Sequence, residues 1–110
     1  MIQDQIAQIE QKLEQAGELS PQSRAELLAL LADLKIEIRE LSKTNLESAH
    51  QVAGFAAASA AEATRQPRAA LELETALQGF KGSVAGLEAS HPKLTNVVNQ
   101  ISMVLANMGI

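Results

Sequence analysis

The sequence has no cysteine, tryptophan or tyrosine, and two phenylalanines among its 110 residues. Without cysteine there is no disulfide framework and no thiolate chemistry. Aromatic residues are scarce and no stretch alternates with period two, so strands have no support. Positive charge is also short. Nine Lys and Arg stand against thirteen Asp and Glu, a net charge of −4, which leaves no excess to neutralise phosphates and argues against nucleic acid as the main partner. Lys35, Arg39 and Lys43 form a basic strip, but Glu37, Glu40 and Glu47 interrupt it. Long apolar runs are missing too. The most apolar stretch, "VAGFAAASAA", has about half of the roughly 20 residues that a membrane-spanning helix needs. The opening "MIQDQIAQIEQ" lacks a basic region followed by an apolar core, so no secretory signal is expected and the chain is read as cytoplasmic. There is no glycine-rich phosphate loop, nucleophile elbow or Ser-His-Asp constellation, so neither catalysis nor a cofactor is expected.

What is present is helix punctuation and helix periodicity. Proline suits the first turn of a helix and drives the preceding residue out of helical conformation. "GELSP" therefore ends one helix and opens another, with Ser20 as cap and Pro21 at the first position. "TRQP" and "ASHP" mark further junctions at Pro67, which either breaks or kinks its helix, and at Pro92. One domain over 1–110 with four helices follows, at about 2–16, 21–63, 67–89 and 92–108.

Each helix carries a mainly apolar row at alternating spacings of three and four. The rows are Ile2, Ile6, Ile9, Leu13, Ala16; then Leu27, Leu31, Leu34, Ile38, Leu41, Asn45, Ser48, Val52, Phe55, Ser59; then Leu73, Leu77, Phe80, Val84, Leu87; and Leu94, Val98, Ile101, Leu105, Met108. A 3.5-residue seam favours knobs-into-holes packing. The expected fold class is all-α, a coiled-coil-like helical bundle with a long central helix.

A helix over 21–63 would be roughly 65 Å long at 1.5 Å per residue, while the first helix is about a third of that. Its middle, around Leu34 to Leu46, would stay uncovered, and Leu28, Leu30, Ile36 and Leu46 add apolar surface off the main row. Two apolar stripes imply two neighbours, and a second copy of the chain is the simplest source. The expected interaction residues are Leu27, Leu31, Leu34, Ile38, Leu41, Asn45, Val52 and Phe55, in a homo-oligomeric dimer or tetramer. Asn45 would fix register as polar seam residues do. Two alternatives stay open: an adaptor that offers the second stripe to a different protein, and a bundle that simply loosens and wets there.

Three local features have competing readings. After Ser48, "SAHQVAGFAAASAAEATR" replaces leucine by alanine and glycine, which suits close helix packing; a lipid- or granule-binding face would need more bulky apolar and basic residues than Phe55 and Arg65. "ESAH" and "EASH" both read Glu-x-x-His, the spacing used twice in di-iron bundles. Glu47 and His50 fall on the face opposite Val52 and Phe55, however, and His91 precedes Pro92, so no metal ligand is expected. The terminal "LANMGI" fits a helix stop in which Gly109 takes the left-handed conformation and Ile110 folds back on Leu105. Its other reading is a free carboxylate on Ile110 that docks into a partner.

The C-terminal third, "GFKGSVAGLEASHPKLTNVVNQISMVLANMGI", resembles the ending of a family of small bacterial helical proteins of unknown function. The matching positions are Phe80, Glu88, His91, Pro92, Leu94 and Leu105 to Ile110. The alanine-rich segment from Val52 to Ala63 departs from that pattern. The resemblance implies a bacterial origin and supplies no catalytic residues.

Overall fold

The computed structural model of the protein describes residues 2–15, 20–64 and 70–108. Five helices are present among them: α1 (Ile2–Gln15), α2 (Pro21–Thr44), α3 (Leu46–Ala63), α4 (Ala70–Gly82) and α5 (Pro92–Met108). No strand occurs among the described residues. The Pro67 junction, the Gly109–Ile110 helix stop and Ala16 of the first seam lie outside them.

Ser20 opens α2 as the sequence suggests. Its backbone is extended, its hydroxyl accepts the Ser23 N–H at 3.1 Å, and Pro21 takes the first helical position, where a missing N–H costs nothing. The expected continuous helix over 21–63 is two helices instead, because the backbone leaves helical conformation at Asn45 (φ −151°, ψ 84°). The break is satisfied locally on both sides. The Asn45 N–H donates to the Leu41 carbonyl at 2.8 Å, closing α2, and the Asn45 side-chain oxygen accepts the Ser48 N–H at 3.0 Å, opening α3. Glu47 follows in the first turn of α3, where a carboxylate complements the helix dipole. A straight helix of roughly 65 Å would also exceed the molecule, whose longest extent is 38 Å. The radius of gyration of 12.9 Å matches the roughly 13 Å expected of a compact globule of this length.

The third expected helix is shorter as well. α4 stops at Gly82, and a run of turns carries the chain to Pro92. The Ser83 hydroxyl donates to the Phe80 carbonyl at 2.6 Å. Gly86 adopts φ 90°, a conformation open to glycine, and its N–H donates to the Glu88 carboxylate at 2.8 Å. Val84 remains buried and Leu87 half-buried even though both left the helix. His91 caps α5 with its carbonyl, which accepts the Thr95 N–H.

Helix α3 is the axis of the fold: it touches all four other helices, which no other helix does. Its buried residues are Ala49, Val52, Ala53, Ala56, Ser59, Ala60 and Ala63. Interaxial distance is set by the side chains at the contact, so this small-residue surface lets four backbones close around one. Larger residues from the neighbours fill the space, including Ile6, Ile9 and Leu13 of α1, Leu27 to Leu41 of α2, Leu73 and Phe80 of α4, and Leu94 to Leu105 of α5. Polar contacts among the described residues tie α1 to α2. Arg24 Nε donates to the Leu13 carbonyl in the last turn of α1 at 3.3 Å, and Lys35 Nζ pairs with Glu10 at 3.0 Å.

Asn45→Ala removes the acceptor for the Ser48 N–H and is expected to lower stability by about 1 kcal/mol. Urea unfolding followed by circular dichroism reads this as a reduced midpoint at constant slope. Asn45→Asp keeps the cap and should hold the midpoint; equal midpoints for all three proteins would deny the cap its role.

Candidate interaction surface

The structure places the expected interaction residues mostly inside the molecule. Leu27, Leu31, Leu34, Ile38, Leu41 and Val52 are at most 2% exposed, packed within the chain's own core. The reason is the break at Asn45: by folding the chain back, it lets α5 and α3 cover the part of α2 that a continuous rod would have left bare. Of the eight residues, Asn45 is an exposed cap and Phe55 is 38% exposed. The off-row stripe is divided in the same way. Leu30 is buried and Leu28 half-buried, whereas Ile36 and Leu46 reach solvent.

Phe55 is held by a glycine. Its ring lies on the backbone of α4 at Gly79, where an added Cβ would stand 2.7 Å from Cδ1 and 3.1 Å from Cζ. Gly79 therefore serves as the bed for an aromatic ring that α3 would otherwise hold out in water.

A groove of about 350 Å³ runs along α4 beside the end of α5, lined by Ala70, Leu73, Glu74, Leu77, Gln78, Lys81 and Ala106. All of these except Ala106 come from one face of α4, at spacings of three and four over about three turns. Leu73 and Leu77, 6% and 7% exposed, make its floor. Ala70 and Ala106 carry nothing beyond Cβ to fill it. Glu74, Gln78 and Lys81 line its bank, and neither Glu74 nor Lys81 has a hydrogen-bond or ion-pair partner among the described residues. Leu71, 71% exposed, stands one turn from Glu74 on the same helix.

Sequence reasoning places Leu73 and Leu77 in a core seam and does not find the groove. The available signal is a second row at spacings of four, three and four, namely Ala70, Glu74, Leu77 and Lys81. Glu74 and Lys81 are charged, so the row does not register as apolar.

The Glu-x-x-His pairs stay apart from any such site. Glu47 and His50 are exposed on α3, and Glu88 is engaged with the Gly86 N–H. No group of three or more His, Asp or Glu able to hold a metal occurs among the described residues. The Ser59 and Ser102 hydroxyls are buried without a hydrogen-bond partner among the described residues, yet neither lines the groove. No described helix is long and apolar enough to cross a membrane.

Residues 59–110 match a family described as a domain of unknown function (DUF4404). The matched segment takes in the end of α3 and all of α4 and α5, and with them every lining residue of the groove. No curated protein and no solved structure matches the chain.

The Phe55–Gly79 contact can be measured by a double-mutant cycle. In a Phe55→Ala background, Gly79→Ala should stabilise the protein by about 1 kcal/mol through helix propensity. With Phe55 in place the ring must move and the gain shrinks or reverses, so the cycle should report coupling of about 1 kcal/mol or more; additive effects would mean that the ring does not rest on Gly79. The buried serines give a second prediction, because Ser59→Ala and Ser102→Ala each delete a buried hydroxyl that has no hydrogen-bond partner among the described residues. Each should raise stability by about 1 kcal/mol, and a lowered melting temperature in either variant would reveal a hydrogen bond at that hydroxyl.

Proposed function

We propose that the protein is a self-associating helical interaction module of the bacterial cytoplasm that works by binding and not by catalysis. The observation that carries this reading is the surface left over once the core is complete. The main apolar row is consumed within the chain, yet an apolar-floored groove on α4 stays open, and Leu71 and Met103, at 71% and 64% exposed, stand in water on α4 and α5. An open concavity with an apolar floor and a few polar groups on its bank is the usual form of a binding surface. The similarity to a family without an assigned activity is compatible with such a role and adds no chemistry to it.

The second reading is an adaptor for a different protein. It is favoured by Ile36 and Leu46, exposed at 54% and 57% on α2 and the start of α3, away from the α4 groove. Self-association through α4 leaves both of them uncovered.

Size exclusion with light scattering separates the two, with refractive-index detection because no tyrosine or tryptophan absorbs. A mass that rises with concentration from 11.7 kDa to a multiple of it is the expected result. A mass of one chain at every concentration would overturn self-association and leave the adaptor reading.

A further inference from the structure

We infer that the α4 groove is covered by the α4 groove of a second copy, packed antiparallel about a two-fold axis that passes between Leu77 and Gln78. This rests on the self-association proposed above and specifies its surface. Charge complementarity favours this pairing. Glu74 and Lys81 lie seven residues apart on one face of α4, about 10 Å along the axis, too far to pair with each other. Both line the open groove, and neither has a partner among the described residues. An antiparallel two-fold with its axis between Leu77 and Gln78 brings position 74 of one copy level with position 81 of the other. Each Glu74 then faces a partner lysine and each Lys81 a partner glutamate, so one choice of axis satisfies all four charges. A parallel pair in register would set Glu74 against Glu74 and Lys81 against Lys81, which repels.

The apolar residues fit the same arrangement. The row Ala70, Glu74, Leu77, Lys81 has the alternating four-and-three spacing of a helix–helix seam. At its centre Leu77 of each copy lies beside Gln78 of the other. Small Ala106 leaves room beside α4 for the facing helix. A two-fold contact of this kind is isologous: the same patch is used twice and the assembly closes at two chains.

The test is a charge exchange read by light scattering or sedimentation equilibrium. Glu74→Lys alone and Lys81→Glu alone each turn two attractive pairs into two repulsive ones and should weaken dimerisation by about tenfold. An equimolar mixture of the two variants should recover wild-type dimerisation as a heterodimer. One chain then presents lysine at both positions and the other glutamate at both, so every cross-contact joins opposite charges. The double variant carrying both changes should dimerise with itself like wild type. Circular dichroism of each single variant checks that the fold is intact, and recovery on mixing could not come from misfolded chains. Wild-type protein that associates while neither single variant nor their mixture changes the constant would overturn this contact and leave self-association standing through another face. A wild-type protein that stays monomeric overturns both.

Discussion

Everything in this fold depends on how closely four helices can approach a fifth. The alanines of α3 make that possible. A leucine-rich helix in the same place would hold its neighbours farther off and would need longer partners to bury it. Here the central helix contributes little volume of its own, and the leucines and isoleucines of the surrounding helices supply the apolar burial. The composition shift after Ser48 is therefore the chemical condition for having a centre at all.

The second constraint is where the chain turns. α2 and α3 are separated by one non-helical residue, and that residue converts a rod into a corner. The conversion decides which surfaces remain for function. As a continuous helix, 21–63 would have presented Leu34 to Leu46 to the outside; as a corner it presents most of that stretch to α5 and α3 and leaves α1 and α4, which touch two helices each, at the outside. A single polar side chain in the middle of an apolar row thus determines which apolar face stays available.

Much of this is legible in the sequence, and the failures have physical causes. The all-helical class, the Ser20–Pro21 start and the apolar rows follow from periodicity and capping, which are local properties, whereas the covering of Leu34, Ile38 and Leu41 within the chain does not. The row through Leu41, Asn45, Ser48 and Val52 runs across the break without losing phase, so periodicity alone joins two helices into one. The cue to the break is Asn45 itself, a preferred cap residue with an acid two positions on, and it competes with an equally good role for a seam asparagine. Val84 and Leu87 show the reverse case, in which spacing correctly marks packing but the backbone has already left the helix at Gly82. The groove escapes notice because a concavity is defined by atoms that are absent. Ala70 and Ala106, far apart in the chain, have to be brought side by side before their small size means anything.

The one-residue corner also has a mechanical side. The orientation of α2 relative to α3 rests on the torsions of Asn45, and α2, with 24 residues, extends about 36 Å from that pivot. A rotation of about 10° there would sweep the far end of α2 through roughly 6 Å, more than the pitch of a helix. Such leverage cannot be resisted at the pivot. It is resisted by clamps at a distance: α5 lying along α2, and α1 bound to it by Arg24 and by the Lys35–Glu10 pair. The corner gives the molecule its shape, and the helices remote from the corner give it stiffness.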